Sequence, residues 1–256
     1  MDKAKVLIVS HKDFVKPDIA GYVPVFVGPN KPELEGYKDS SGTNIAEKNP
    51  YYCELTALYW YWKNAIESAE YVGFCHYRRY FSKRAWTNSH SYFLTVEDID
   101  EIMKEYDIIL PLPKKLSCTV AENYYKNGEG FEKDLKTLRN IIAEKYADYI
   151  QDYDKVMQSN SNSYFNMFIM SRDLLDRYCT WVFEILGEVE KQTDLRNYTK
   201  AQARIYGYLS ELLLNVWTMH HKLRVFYCPV VQTDIDGRTF TYRYFKQKLK
   251  ETLLRG

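Results

Sequence analysis

The chain has 256 residues, and its 35 Lys and Arg nearly balance its 34 Asp and Glu, which gives a net charge of +1. This length suits one α/β domain, with or without a helical appendage, and the neutral balance argues against bulk nucleic-acid binding. The five cysteines form no C-x-x-C pair and no apolar run approaches the roughly 20 residues of a membrane span, which argues against a disulfide framework, a structural zinc site and a spanning helix. We therefore expect a soluble cytoplasmic protein with at most a peripheral contact at the inner face of the plasma membrane.

The first predicted elements are two strands and a long loop. Residues 5–10 include four consecutive aliphatic residues and end at the polar run His11-Lys12-Asp13, which predicts a buried strand. A second strand is predicted over residues 22–27, where a Gly-Pro-Asn turn ends it. Residues 28–49 are rich in Gly, Pro, Asn and Ser, and a loop of this length is typical of a functional segment.

A helix and a strand follow and lead to the most unusual stretch of the chain. Asn49-Pro50 is typical of a helix start, with Asn as the N-cap and Pro at the first helical position. Apolar residues then recur at helical spacing from Leu55 to Ile66, so one continuous helix is predicted here. Residues 71–75 form a short apolar strand that ends at His76-Tyr77-Arg78-Arg79.

The rest of the chain alternates between helices and strands. Thr95-Val-Glu-Asp98 predicts a capped helix that continues to residue 106. Strands are predicted over 107–113, 164–170 and 225–231, and helices over 119–127, 131–158, 172–190 and 200–220. This alternation predicts an α/β layered domain with a mainly parallel central sheet flanked by helices.

Two predicted strands end in residues that suit phosphate binding. In open α/β sheets, ligands bind outside the carboxyl ends of the strands, which is where His11, Lys12 and the run from His76 to Arg79 are expected. The planar guanidinium group of arginine can bind two phosphate oxygens at once. A nucleotide diphosphate is therefore the expected ligand. The alternative is that Arg78 and Arg79 pair with surface carboxylates.

A second candidate group lies on the predicted helix over residues 200–220. Arg204, Tyr208, Glu211 and Asn215 are spaced by four, three and four residues and so share one helical face. A carboxylate held beside Tyr and Arg on a fixed helix can serve as a general base. A solvated polar face of an amphipathic helix would give the same pattern, and the two interpretations are equally supported by the sequence.

The Asp-x-Asp pairs are the candidates for a metal site, because paired carboxylates can hold Mg²⁺ or Mn²⁺ against a diphosphate. These pairs are Asp98/Asp100, Asp152/Asp154 and Asp234/Asp236. The first opens a helix, the second lies within helical sequence, and the third precedes a Gly turn, where Asp is favoured for its turn chemistry. None follows a buried strand, so no metal site is predicted, and the third pair is the best of the three candidates.

The C-terminal residues 236–256 form a basic segment outside the predicted main domain, residues 1–235. From Arg238 onward the segment holds six cations and one acid, and Phe245, Leu249 and Leu253 recur every four residues. This pattern is typical of a basic helix resting on anionic lipid. It fits a solvated terminal helix equally well.

The motifs of the chain resemble those of a known family, the capsular and exopolysaccharide biosynthesis glycosyltransferases catalogued as domain of unknown function 4422. The resemblance covers residues 4–232 and is most specific between residues 44 and 81. The matching stretches are Asn44-Ile45, Asn49, Tyr52 to Trp60, Trp62-Lys63-Asn64, Gly73 to Phe81, Asn166 to Met170 and Tyr208 to Glu211.

This resemblance implies a single GT-A-like (Rossmann-like) domain that transfers a sugar from a nucleotide donor. A UDP-linked hexose is the expected donor, because some relatives resemble galactofuranosyltransferases. The acceptor would be a growing, often lipid-linked, bacterial surface glycan on the cytoplasmic face. The chain departs from the family pattern at Tyr125-Lys-Asn127-Gly-Glu-Gly130, where a His is expected downstream of a Tyr near position 124. Any role of that His is therefore in doubt here.

The resemblance and the residues together give a mechanistic hypothesis. In GT-A enzymes, an acidic motif at a strand end holds a metal against the diphosphate, whereas the corresponding strand here ends in His76-Tyr77-Arg78-Arg79. We expect Arg78 and Arg79 to neutralise the leaving diphosphate without Mn²⁺ or any tightly bound cofactor, and Glu211 to deprotonate the acceptor hydroxyl for inversion. The expected donor-binding residues are His11, Lys12, His76, Tyr77 and Arg204. The expected substrate-binding residues are Glu54, Tyr59, Lys63, Asn64, Asn166 and Tyr208.

Two other functional classes fit parts of this pattern. The first is a different nucleotide-dependent enzyme, such as a phosphotransferase or a nucleotide-sugar hydrolase. The second is a non-catalytic sugar-binding or scaffold subunit of a polysaccharide assembly complex. A cluster of phosphate-binding cations at a strand end favours an enzyme, because a scaffold gains nothing from it.

Overall fold

The computed structural model describes residues 1–85, 89–127 and 129–233. Its strands are β1 Asp2–Ser10, β2 Tyr22–Phe26, β3 Tyr37–Lys38, β4 Ala69–His76, β5 Arg79–Phe81, β6 Ile108–Pro111, β7 Lys114–Lys115, β8 Ser161–Asn162, β9 Phe168–Ser171, β10 Val225–Cys228 and β11 Val230–Gln232. Its α-helices are α1 Asn49–Tyr52, α2 Leu55–Asn64, α3 Val96–Met103, α4 Val120–Lys126, α5 Glu132–Lys145, α6 Ile150–Gln158, α7 Arg172–Gln192 and α8 Ile205–His220. Short 3₁₀ turns occur at Ala46–Lys48, Ile66–Ser68, His90–Tyr92, Ala147–Tyr149, Leu195–Asn197 and Gln202–Arg204.

The central sheet has the order β10-β6-β9-β4-β1-β2-β3. The pairings of β1 with β2 and β4, of β2 with β3, and of β6 with β10 are parallel. Strand β9 runs antiparallel to both of its neighbours, β4 and β6. The mainly parallel α/β fold predicted from the sequence is therefore confirmed. Because β9 runs against its neighbours, it begins at the edge of the sheet where they end.

The sheet is packed on both faces, and β1 shows how its sequence achieves this. Leu7 and Val9 belong to the core on one face, together with residues of α2 and of α4 to α8. Val6 and Ile8 belong to the core on the other face, with α3 and β5. All four side chains are almost fully buried, as expected for a strand covered on both sides. Truncating such a residue to Ala typically costs about 2–5 kcal/mol of stability.

Two of the predicted elements are broken, and both breaks occur beside the cleft described below. The helix predicted to continue from Asn49 to Ile66 is interrupted at Cys53, whose φ of 53° is not helical, so α1 and α2 are separate. The strand predicted over residues 164–170 begins only at Phe168, because Phe165 and Asn166 have φ angles of 83° and 50°. A left-handed residue cannot continue a β-ladder.

Two further breaks have ordinary causes. The helix predicted over 131–158 is two helices, because Tyr146 leaves the helical conformation between α5 and α6. The strand predicted over 225–231 is divided at Pro229, which has no N–H for the ladder, and its second half pairs with β5. None of the helices in the described residues is long and apolar enough to cross a membrane. The predicted basic segment 236–256, with the last two residues of the predicted domain 1–235, lies outside the described residues.

Candidate functional site

A cleft of about 980 Å³ opens at the edge of the sheet where the parallel strands end. His11 follows β1, the residues from His76 to Arg79 lie at the end of β4, and Leu112 follows β6. The N-terminal end of α8 and the junction of α1 with α2 complete its walls. This is the position at which open α/β sheets bind their ligands.

The His76-Tyr77-Arg78-Arg79 run forms a tight hairpin. Strand β4 pairs with β5 in antiparallel register, with His76 opposite Arg79, so Tyr77 and Arg78 form the turn. The turn is tied to the sheet because the backbone N–H of Tyr77 donates to the carbonyl of Val9 at 3.1 Å. All four side chains of the run line the cleft, as predicted from their place after a buried strand.

Arginines of the cleft rest against aromatic rings. The Arg79 guanidinium lies 4.6 Å from the ring centroid of Phe165, and that of Arg78 lies 5.0 Å from the ring of Tyr77. Arg204 lies 5.4 Å from the ring of Tyr208. In the described part of the chain, none of these arginines forms an ion pair with a carboxylate within 4.0 Å. The alternative of ordinary surface ion pairs for Arg78 and Arg79 therefore does not apply to the described residues.

The backbone of Phe165 connects the end of β4 to α8. The Nε2 of His76 lies 2.6 Å from the carbonyl oxygen of Phe165, which makes Nε2 the protonated ring nitrogen. The N–H of Phe165 donates to Oε1 of Glu211 at 3.0 Å. Because β9 runs antiparallel, the residues that precede it reach the edge where β4 ends. A predicted donor-binding side chain and the predicted base, from distant parts of the sequence, are thereby fixed to one residue.

Asn166 holds Glu54 in place, and its predicted contact with substrate is corrected. Its side chain is only 5% exposed. The Nδ2 group donates to Oε1 of Glu54 at 2.7 Å and to the carbonyl of Gly207 at 3.0 Å, while Oδ1 accepts from Ser210 at 2.8 Å. With both polar atoms occupied, Asn166 orients a carboxylate of the cleft and does not face substrate.

The face predicted on the late helix is brought to the cleft. Arg204 precedes α8, and Tyr208 and Glu211 follow on the same side, all three lining the cleft. Asn215 lies further along this face, where its side chain accepts from the backbone N–H of Ser163 and donates to its carbonyl. From Arg204 to Glu211, the polar face of this helix therefore lines the cleft.

Burial inside the cleft changes the protonation of its side chains. Burial, together with the nearby carboxylates of Glu54 and Glu129, raises the pKa of Glu211 to about 8. Burial also lowers the pKa of His76 and of Arg79, because both are charged when protonated. The pKa of His11 is lowered by burial and by the cations Lys12 and Arg78. A carboxyl group whose pKa lies near neutrality is suited to proton transfer.

Five residues of the predicted site do not line the cleft: Lys12, Tyr59, Lys63, Asn64 and Asn166. Glu54 is the N-cap of α2 and lines the cleft, but the helix then runs away from it by about 1.5 Å per residue. Tyr59 packs edge-on against Phe183, Lys63 lies over the ring of Trp62, and Asn64 bonds with Thr43. The assignment of Tyr59, Lys63 and Asn64 to substrate in this cleft is therefore withdrawn. Lys12 is beside the cleft, with its Nζ 5.6 Å from the ring of Tyr77.

Several residues that line the cleft were missed in the sequence. One group lies on α4, on the segment after it or on the loops before β9 and α8: Asn123, Asn127, Glu129, Tyr164, Phe165, Lys200 and Ala203. Burial raises the pKa of Glu129 as well. Leu112 and Lys114 follow β6 and could have been found by the strand-end rule. The others carried no periodic or motif signal.

A divalent metal does not fit the end of β4, where the residues are cationic. Within the described ranges, no group of three or more His, Cys, Asp and Glu side chains is arranged to hold a metal ion. Asp98 caps α3, and Asp100 pairs with Lys3. Asp152 contacts His220, and Asp154 pairs with Arg139. The pair Asp234/Asp236 lies outside the described residues.

Comparison with known proteins identifies a family and solved structures that are similar to this chain. The family described as domain of unknown function DUF4422 matches residues 5–222. No curated protein matches the chain. Nine chains of solved structures are similar to it. One is the bifunctional glycosyltransferase WbbM in its apo form, with a TM-score of 0.83 and 27% sequence identity over 93% of this chain. The match covers 46% of the WbbM chain, so the present chain spans less than half the length of that relative.

Proposed function

The chain belongs to the DUF4422 family, and we propose that it is a glycosyltransferase that moves a sugar from a nucleotide-diphosphate donor to a glycan acceptor. The observation that carries this proposal is the composition of the cleft. It holds three guanidinium groups without carboxylate partners among the described residues, and beside them the carboxyl group of Glu211, whose pKa is about 8. Cations without partners suit a phosphate, and a carboxyl near neutrality suits proton transfer.

Arg78 and Arg79 stabilise the leaving diphosphate in this mechanism. Negative charge grows on the phosphate oxygen as its bond to the anomeric carbon breaks, and fixed cations at that place lower the barrier. His11 and Tyr77 lie beside Arg78 and complete the donor side, with Lys12 behind the Tyr77 ring. His76 acts on this side chiefly through Phe165, because its Nε2 proton is bonded to that carbonyl.

Glu211 accepts the proton of the acceptor hydroxyl. The hydroxyl oxygen then forms a bond to the anomeric carbon from the side opposite the diphosphate, and the configuration inverts. Oε1 of Glu211 already accepts from the N–H of Phe165, which leaves Oε2 for the hydroxyl. Arg204, Tyr208 and Glu54 line the same part of the cleft and supply hydrogen bonds to substrate.

The finer identity of the substrates is part of the proposal. A UDP-linked hexose, with galactofuranose as one candidate, is the expected donor, and a growing bacterial surface polysaccharide is the expected acceptor. The likeness to WbbM, itself named a bifunctional glycosyltransferase, supports sugar transfer by this chain. The alternatives are a nucleotide-sugar hydrolase and a non-catalytic sugar-binding subunit, and products separate the three.

A panel of nucleotide sugars tests the proposal directly. We expect one nucleotide sugar to raise the melting temperature of the full chain, with and without EDTA, and to give a lengthened glycan when acceptor is added. Binding that survives EDTA agrees with a cationic clamp. Strict dependence on Mn²⁺ contradicts the clamp. Free sugar as the main product indicates a hydrolase, and binding without turnover indicates a sugar-binding subunit.

A further inference from the structure

Phe165 is an exposed aromatic residue in a left-handed backbone conformation. Its φ of 83° is unfavourable for a bulky side chain, and the next residue, Asn166, is left-handed as well, at 50°. The side chain of Phe165 is 36% exposed and lines the cleft. Strained backbone of this kind is unfavourable and persists where the surroundings hold it, often at functional sites.

The surroundings of Phe165 explain how this strain is maintained. Its carbonyl accepts from His76 and its N–H donates to Glu211. Asn166 is then held by three side-chain hydrogen bonds to Glu54, Gly207 and Ser210. A glycine would adopt the same φ without strain and would keep both backbone bonds. The backbone geometry alone therefore does not account for a phenylalanine, and its ring needs a separate explanation.

The position of the ring indicates the chemistry of its ligand. Arg79 covers part of it, with the guanidinium 4.6 Å from the centroid, and the exposed ring lines a cleft that also holds charged side chains. A flat apolar surface among charged groups fits a ligand with a C–H face and hydroxyl edges, as in a sugar ring. Tyr164 and Tyr208 line the same cleft and add aromatic rings that carry hydroxyl groups.

We propose that the Phe165 ring is the stacking platform for the acceptor hexose. This inference rests on the proposed function, because it places the acceptor next to Glu211, the base that must reach its hydroxyl. The N–H of Phe165 is bonded to Glu211, so the ring and the base are held by one residue. Arg79 marks the phosphate side of the ring, and the acceptor takes the side of Glu211.

Substitutions at Phe165 separate the ring from the backbone. Phe165→Gly keeps the left-handed backbone and removes the ring, Phe165→Leu keeps apolar bulk without a flat face, and Phe165→Tyr keeps the face. With octyl hexosides as acceptors, we expect the acceptor KM to rise about tenfold in the Gly and Leu variants, since both lose the flat aromatic face. The donor KM stays within about twofold, and the Tyr variant behaves as wild type.

The melting temperatures of the variants show whether a change in KM results from loss of the fold. Phe165→Gly should melt at or above the wild-type temperature, because strain is relieved. An unchanged acceptor KM in both the Gly and Leu variants, or a rise in donor KM alone, overturns the platform. If Phe165→Gly does not fold, the comparison of Leu with Tyr decides.

A direct binding measurement distinguishes this proposal from the proposed function. Saturation-transfer NMR with octyl hexosides, in the absence of donor, should show one face of the sugar in contact with the wild type and not with Phe165→Gly. If this contact is seen but the protein has no transferase activity, the stacking platform is supported and the proposed glycosyltransferase function is refuted. If no hexoside contacts the wild type, the platform is refuted while nucleotide-sugar turnover still tests the enzyme.

Discussion

Two pairs of arginines among the described residues lie in different environments. On the outer surface, Arg139 binds Asp154 through two bonds of 2.8 and 2.7 Å, and Arg224 binds Asp107 in the same way. In the cleft, Arg78 and Arg79 lie over aromatic rings and form no such pair with the described residues. The guanidinium groups of Arg139 and Arg224 are already neutralised by their own chain, whereas those of Arg78 and Arg79 remain available for an external anion.

The two environments also differ in their energetic effect. An exposed ion pair contributes about 0–1 kcal/mol to stability. In the cleft, burial and the neighbouring Arg78 lower the pKa of Arg79, so holding this cation charged disfavours the unliganded fold. Holding Glu211 ionised likewise disfavours the unliganded fold, because its pKa is raised. Groups that destabilise the empty protein and have a ligand to bind are typical of functional sites.

The largest effect is expected from Glu211→Gln. The amide cannot accept the acceptor proton, so turnover should fall about 10²–10⁴-fold. In the wild type, kcat/KM should fall about tenfold per pH unit below about 8, because the base must be unprotonated. Steady-state assays between pH 5.5 and 9 check both results. Normal turnover in the variant, or a flat profile over this range, removes the base assignment.

Stability gives an independent check on the same variant. The folded-state pKa of Glu211 lies above its unfolded value, so this group lowers stability as the pH rises from about 4.5 to about 8. The stability of Glu211→Gln does not fall in this way, because the amide does not titrate. Its melting temperature should therefore exceed that of the wild type by a margin that grows from pH 5 to pH 9. A margin that does not depend on pH would show that Glu211 has an ordinary pKa.

The next largest effect tests the two classes of arginine against each other. Arg79→Ala should lower kcat/KM about 10²–10³-fold, because a fixed cation on the leaving diphosphate is lost. Arg78→Ala should act in the same direction, and Arg79→Lys should recover part of the loss, since Lys keeps the charge but not the planar fork. Arg224→Ala is the matched surface control, with activity within about twofold and a stability loss of about 1 kcal/mol or less.

The comparison fails if the two classes respond alike. Equal activity of Arg79→Ala and Arg224→Ala would mean that the cleft arginines bind no anion during turnover. A large and equal fall in melting temperature for both would mean that they are structural. The informative result is loss of activity at Arg79 with retained stability.

A smaller effect, about tenfold on kcat, is expected from Asn166→Asp. The new carboxylate cannot donate a hydrogen bond to Glu54 and repels it, because both groups are negatively charged. Both side chains are then displaced, but no side chain of the cleft is removed. Glu54→Gln in the same chain restores a donor between the two positions, so the melting temperature should partly recover. The exposed change Asn197→Asp is the control. A variant with normal kcat and melting temperature would show that this contact positions nothing.

Much of the site could be predicted because its signals are local. A buried strand followed by His76-Tyr77-Arg78-Arg79 predicted cations at a sheet edge, and the four-three-four spacing predicted that Arg204, Tyr208 and Glu211 share one face. Both predictions depend only on the period of a strand or a helix. Such periods also predicted the mainly parallel sheet. These periods did not predict the distance between the run from His76 to Arg79 and the polar face of α8, which is set by the order of the strands.

The sequence by itself thus determined the layered α/β fold, the cationic run at the end of β4 and the polar face of α8, because each follows from neighbours along the chain. Only the tertiary structure decided that α2 runs away from the cleft after Glu54, and that Asn166 reaches back across 112 residues to hold it. It also decided that Phe165 joins His76 to Glu211. These contacts depend on the antiparallel course of β9 and on left-handed residues, and a bulky residue with positive φ exists only where bonds from distant elements hold it.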